Sequence, residues 1–218
     1  RQAADAGECV TARHNYFVAA IFYAAAQWPL DENNDKNIAL NTSKRECYQR
    51  YATRADHRIE AVWVPFQGHA LPGWLHLPPG YNGGRIPVVW AIPGMDSFKE
   101  NAVALYGDRW LTRGIAVLAL EGPGQYESAV LGIHVSVPNW IEAAHAVADW
   151  LAARAEIDFA RMGIAGQSCG SFFRPLVAGN VPRFSACAVT ATCHESRCHS
   201  VLDEGCPTCN KRFLFRTG

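Results

Sequence analysis

The sequence predicts an α/β fold: a mostly parallel sheet with flanking helices, preceded by a helical segment. Three observations predict it. Strand-like and helix-like stretches alternate from about residue 56 onward, the pattern that builds a parallel sheet with helices on its faces. Two of the strand-like stretches, 87–92 and 115–120, are continuously apolar, as in strands buried on both faces. Lastly, Gly166-Gln167-Ser168-Cys169-Gly170 stands between a short apolar strand, 161–165, and a stretch that continues as a helix, 171–178.

Residues 1–55 read as helical. Tyr16, Ala19, Ala20, Tyr23 and Ala24 suit a buried helix, which Pro29 and the polar stretch 31–37 break. Thr42 or Ser43 caps a second helix running through Tyr51. Alternation then marks strands at 58–64 and 73–77, followed by a turn cluster at 78–84. The strand at 87–92 leads to a helix from about Glu100 to Arg113, closed by Gly114, and then to the strand at 115–120. A strong helix covers 139–155, with Trp140, Ala143, Ala144, Val147 and Leu151 on one face. The strand at 161–165, its helix and a last strand at 184–189 complete the pattern. The organisation is a helical segment (1–55), an α/β core (56–192) and the start of a cap or excursion (193–218).

Strand, G-x-S-x-G, helix is the context of the nucleophile elbow of an α/β-hydrolase. The turn is so tight that the residues flanking the serine need almost no side chain, and glycine tolerates its backbone. The Ser168 hydroxyl then stands at the C-terminal edge of the sheet, beside the N-terminus of the next helix. That helix end presents N–H groups and a partial positive charge to a developing oxyanion.

Three motifs come in order with family-like gaps: Pro93-Gly94-Met95-Asp96-Ser97-Phe98-Lys99-Glu100, Glu121-Gly122-Pro123-Gly124-Gln125 and Gly166-Gln167-Ser168-Cys169-Gly170-Ser171. Together they resemble the α/β-hydrolases grouped with 2,6-dihydroxypseudooxynicotine hydrolase, the fermentation–respiration-switch-like esterases and fungal polyketide-shortening hydrolases. The stretch from Ala186 to Glu195 is also similar, as is the helical N-terminal segment, which in that family forms part of a cap over the site. The resemblance implies a serine hydrolase that cleaves an ester, or an activated carbon–carbon bond of a β-diketone-like small molecule, through an acyl-serine. It implies Ser168 as nucleophile, with the backbone N–H groups of Cys169 and Met95 as oxyanion donors. Glu195 follows the strand 184–189, where a carboxylate can orient substrate or hold a proton in carbon–carbon cleavage. The Cys169 thiol, one position past the apex, is not read as a nucleophile, and 122–124 reads as a structural turn. No cofactor and no metal are implied.

A serine needs a base, and in this fold the chain order is Ser, then Asp or Glu, then His, on later strands. The fifty residues after Ser168 hold one strand and a non-periodic end. The acid, the histidine and the last strands of the sheet are therefore missing from this stretch and expected beyond Gly218, and the 218 residues alone are expected to be inactive. The sheet edge those strands would cover predicts aggregation or a homodimer. His194 and His199 follow Ser168 too soon for the usual histidine loop; His134 and His145 read as structural.

Two further readings stay open. One is a non-catalytic ligand-binding protein that uses the hydrolase cleft. The other is a small zinc-binding protein built on Cys193, His194, Cys198, His199, Cys206 and Cys209, although the paired C-x2-C at the usual separation is lacking. Cys206 and Cys209 as a redox pair lack a thioredoxin-like strand before them. Cys9, Cys47 and Cys187 read as buried thiols. With 49% hydrophobic residues and seven Trp the chain needs no disulfide staples, which points to a reducing cytoplasm. Twenty basic and twenty acidic residues, without a basic stripe, argue against nucleic acid or an anionic membrane as partner. The longest apolar run, 16–26, is too short to span a bilayer and lacks the basic start and cleavage site of a signal peptide. The chain opens on Arg1 rather than Met, so an N-terminus upstream is expected.

Overall fold

The computed structural model describes residues 2–105, 108–190, 211, 215 and 216. A short helix, α1 (Gln2–Asp5), precedes α2 (Cys9–Gln27), and α3 (Asp35–Ala52) packs against α2. The buried stripe of α2 is Ala12, Tyr16, Ala20, Ala24 and Gln27, the spacing that places side chains on one helix face. Tyr23, expected inside, is exposed. The helix α3 starts earlier than Thr42 or Ser43: Asn34 is its cap, its Oδ1 accepting the Asn37 N–H at 2.9 Å. The polar run that reads as a break thus supplies the cap. Thr42 sits mid-helix and donates to the Ile38 carbonyl at 3.0 Å.

Six strands form one sheet: β1 (Ile59–Phe66), β2 (His69–His76), β3 (Ile86–Ile92), β4 (Ala116–Leu120), β5 (Ile157–Gln167) and β6 (Phe184–Thr190). Their order is β1-β2-β4-β3-β5-β6; β2 is antiparallel to β1 and β4, and the other pairs are parallel. Every residue of β4 is buried, as its continuous apolar sequence predicts. Alternate residues divide between two layers. Val88, Trp90, Ile92, Leu118 and Leu120 pack under α6 (Val137–Ala152) and α7 (Cys169–Asn180), whereas Trp74, Ala91, Val117 and Ala119 pack with α2 and α3. Trp140 of α6 stacks on Phe173 of α7 with ring centroids 4.3 Å apart. The face of α6 predicted from periodicity, Trp140, Ala143, Ala144, Val147 and Leu151, is the buried one.

The expected helix 100–113 is broken instead into a 3-10 turn (Lys99–Asn101), a single helical turn α4 (Ala102–Leu105) and a second 3-10 turn (Leu111–Arg113). Asp108 within this stretch has φ of 51°, which does not fit a continuous helix, and Gly114 at φ 69° closes the stretch. After β4 comes α5 (Tyr126–Val130), five residues too few to show a helical period in the sequence. Cys9 and Cys187 are exposed and Cys47 half-buried, so these thiols are not the buried ones the sequence suggested. Cys187 lies on β6, which is the sheet edge among the described residues, with 185–190 exposed. No described helix is long and apolar enough to cross a membrane.

At the end of β2 a histidine pair joins the helical segment to the sheet. His76 is buried, with its Nδ1 3.0 Å from Nε2 of His57, whose Nδ1 lies 3.1 Å from the Asp56 carboxylate. Burial, with His57 alongside, pushes His76 down from 6.5 to about 3. A pKa depressed by folding contributes stability that is complete above 6.5 and is lost as pH falls toward 3. We expect about 2 kcal/mol to be lost by pH 5, before most carboxylates titrate. Thermal melts at pH 7.5, 6.5 and 5 check this against His76→Leu; an equal loss in the variant refutes it.

Candidate active site

The strand β5 ends in Gly166-Gln167 and α7 begins at Cys169, so Ser168 alone makes the turn. It does so with φ of 54° and ψ of −128°, a backbone that L-residues rarely adopt and that persists only where the surroundings enforce it. Both flanking glycines are required by contact. A Cβ at Gly170 would lie 2.7 Å from the carbonyl oxygens of Ile92 and Pro93, and one at Gly166 would collide with the Ile92 carbonyl and the Arg174 guanidinium. The turn is tied to the end of β6: the Ser168 N–H donates to the Thr190 carbonyl at 3.2 Å. The buried Ser171 hydroxyl reaches the carbonyls of Ser168 at 2.6 Å and Thr190 at 3.1 Å. Arg174, fully buried, donates to the Ala188 carbonyl. Ser168 itself is exposed.

The loop after β3 passes beside this turn. A Cβ built on Gly94 would be 3.3 Å from the Ser168 Cβ and 3.9 Å from its Oγ. The Gly94 carbonyl accepts the Ser97 N–H at 3.3 Å; in a trans peptide the Met95 N–H therefore points the opposite way, out of that small turn. Met95 is half-buried. Cys169 is the first residue of α7, and N–H groups in a helix's first turn point along the axis toward the preceding residue. Ser168, the N-terminus of α7 at Cys169 and the loop that carries Met95 thus lie together at one edge of the sheet.

Behind the loop lies a buried charge network. The Lys99 ammonium is 2.6 Å from Glu127, 3.0 Å from Glu100 and 3.3 Å from Glu121. Lys44 stands 4.0 Å from Glu100, the Trp74 indole donates to Glu100 at 3.1 Å, and Arg45 pairs with Glu127 at 3.2 Å. Burial alone would push Glu100 up, but Lys44 and Lys99 hold it down at about 2. Burial would lower Lys99; the three carboxylates outweigh it and raise it above its ordinary value. Burial, reinforced by Glu100 and Glu127, raises Glu121 despite the nearby lysines. A groove of about 620 Å³ opens over this network between α3 and β1–β2, lined by Arg45, Arg50, Trp63 and Trp74 among others, but not by Ser168.

Glu195 lies outside the described residues, as do Cys193, His194, Cys198, His199, Cys206 and Cys209. Among the described residues no histidine is hydrogen-bonded to Ser168, and His134 and His145 are exposed. The described residues hold no group of three or more His, Cys, Asp or Glu that could bind a metal. The sequence reading missed Lys99, Glu121 and Gln125 as parts of the site's framework. A glutamate directly after the buried strand β4 was the available signal, because a charge at that position must find partners.

Residues 1–197 match the family described as Esterase FrsA-like. Over 195 residues the chain is 33% identical to "Alpha/beta hydrolase xenA" of Xenoacremonium sinensis and 31% identical to "Alpha/beta hydrolase pydG" of an Acremonium species. Each alignment covers 85% of this chain and 46% of the relative, so the chain spans about half the length of these relatives. The 2,6-dihydroxy-pseudo-oxynicotine hydrolase superposes with a TM-score of 0.71 over 84% of this chain and 50% of that one, at 24% identity. AbyA5 superposes with a TM-score of 0.74 over 93% of this chain and 56% of that one, at 17% identity. At these identities the likeness concerns the fold, which is that of the α/β-hydrolases. By its match over most of its length, the chain belongs to the FrsA-like esterase family.

Proposed function

We propose that this protein is a serine hydrolase acting on a small molecule, cleaving an ester or an activated, β-diketone-like carbon–carbon bond through an acyl-serine. The observation that carries this reading is the strained Ser168 at a strand-to-helix turn, with the Gly94 backbone packed against its side chain. In this reading Ser168 Oγ attacks the substrate carbonyl and its proton passes to a histidine. The carbonyl oxygen becomes an oxyanion held by the N–H groups of Cys169 and Met95, each contributing a few kcal/mol to lowering the barrier. The histidine and its acid come from outside the described residues, in the order usual for the fold. Glu195 orients substrate or holds the proton needed for carbon–carbon cleavage, and the helical segment 1–55 forms part of a cap. Family membership favours this chemistry over ligand binding without catalysis or a zinc protein. The exposed or half-buried thiols Cys9, Cys47 and Cys187 fit a reducing, cytoplasmic setting.

Intact mass before and after a fluorophosphonate probe tests the mechanism. The natural full-length protein is expected to gain one adduct, on Ser168, and the 218-residue chain alone none. No adduct on the full-length protein overturns the serine mechanism. An adduct on the 218-residue chain would show that a base exists within it and that the activating residues do not lie elsewhere.

A further inference from the structure

We infer that Gln125 is a positioning residue for the loop that carries the Met95 N–H, acting as a strut between that loop and the turn after β4. The inference rests on the serine-hydrolase reading for its catalytic meaning and on geometry alone for the strut itself. Gln125 is buried, and its side chain spans two backbones. Its Oε1 accepts the Gly122 N–H at 2.8 Å and its Nε2 donates to the Pro93 carbonyl at 2.5 Å. Only this orientation of the amide serves both partners, since one offers a donor and the other an acceptor. Pro93 immediately precedes Gly94, whose backbone lies against Ser168, so fixing the Pro93 carbonyl fixes the plane of the peptide that enters the site.

The far end of the same loop is held from the same segment. The Glu121 carboxylate accepts the Lys99 N–H at 3.0 Å through one oxygen and the Glu127 N–H at 2.9 Å through the other. Between the two ends Phe98 meets Tyr126 edge-on, with centroids 5.5 Å apart. Residues 121–127 are therefore a template on which loop 93–99 is laid, and Gln125 is the contact nearest the nucleophile. The turn has no slack: a Cβ at Gly122 would run into the Trp140 ring, so Gln125 projects from a seat fixed by the core. An oxyanion donor works through prior placement, and misplacement by about 1 Å costs up to about a hundredfold in rate.

Two variants of the natural full-length protein test this. Gln125→Met keeps the volume and removes both hydrogen bonds. Gln125→Leu also removes both hydrogen bonds with a branched side chain of similar volume, so one variant remains readable if the other fails to fold. In each we expect kcat per labelled serine to fall about 10- to 100-fold with KM nearly unchanged. The inhibition constant of an alkylboronic acid, whose tetrahedral adduct places an oxygen at the oxyanion position, is expected to rise in step. Hydrogen exchange in 93–98 is expected to quicken more than in β5 and β6, with a melting temperature lower by several degrees because the buried Gly122 N–H and Pro93 carbonyl lose their partner. Unchanged kcat and boronate affinity, with or without a lower melting temperature, would make Gln125 an ordinary core residue and overturn the inference. If the unsubstituted protein neither labels at Ser168 nor turns over esters, the serine-hydrolase reading fails; exchange in 93–98 then decides the strut by itself, faster exchange supporting it and unchanged exchange overturning it.

Discussion

Ser168→Ala is expected to lower ester turnover by the natural full-length protein by about 10⁴-fold or more while leaving its melting temperature nearly unchanged. The two halves of this expectation have separate causes. In the proposed mechanism the hydroxyl is the atom that attacks, and the neighbouring Cys169 thiol is not placed to replace it, being on the next residue, already inside α7. The fold, by contrast, uses the backbone of Ser168, through its N–H to Thr190 and its carbonyl to Ser171. Alanine keeps those bonds and carries the same Cβ at the same positive φ, so the strain at the turn is already part of the fold. Steady-state kinetics on aryl esters, with melting followed by circular dichroism, reads both halves. A residual rate of about 10³- to 10⁴-fold over water fits an oxyanion hole that survives the loss of the nucleophile. A rate within about tenfold of the unsubstituted protein would place the nucleophile elsewhere.

That turn was legible because its determinants are local. Two glycines, the serine and the change from strand to helix occupy one short stretch, and the glycines are required by contacts with the strand and loop beside the turn. The buried strands β3 and β4 and the inner face of α6 were equally legible, since burial on both faces or on one leaves its mark on every residue. Where a single residue decided the outcome, the sequence misled. Asn34 displaced the expected cap of α3 by eight or nine positions, and Asp108 takes a positive φ inside a stretch whose composition looked like one continuous helix. The framework of the site was not legible, because it is made between residues distant in sequence. Gln125 reaches Pro93 across 32 positions and Lys99 reaches Glu127 across 28. A glutamate, a glutamine or a lysine at such a place has no neighbour in sequence that announces the partner.

Lys99→Met is expected to destabilise the protein by about 3–5 kcal/mol at pH 7.5. The lysine is 2% exposed and is the shared partner of three carboxylates, each within 3.3 Å. Without it the cations left to the three carboxylates among the described residues are Lys44, 4.0 Å from Glu100, and Arg45, 3.2 Å from Glu127; Glu100 also keeps the Trp74 indole, and Glu121 keeps its backbone donors. A buried charge left unpaired is more costly than the pair was stabilising, because its desolvation is no longer offset. The loss depends on pH with a definite sign. Burial and the other carboxylates already raise Glu121 above 4.5 with Lys99 present, and removing the cation raises it further. A carboxyl raised by folding takes up a proton in the folded state, so the penalty is smallest below 4.5 and grows as pH rises through the raised value. Urea unfolding at pH 5 and pH 7.5 is therefore expected to show a larger loss at the higher pH, and adding Glu121→Gln to recover part of it. A loss below about 1 kcal/mol, equal at the two pH values, would mean that solvent reaches the network and that its charges are screened as on a surface. The network also joins α3, through Lys44 and Arg45, to the segment 121–127 on which the loop beside Ser168 is laid. Its loss is for that reason expected to reach hydrogen exchange in 93–98 before it reaches β5 and β6, whose ties to the turn run through Thr190 and Ala188 instead.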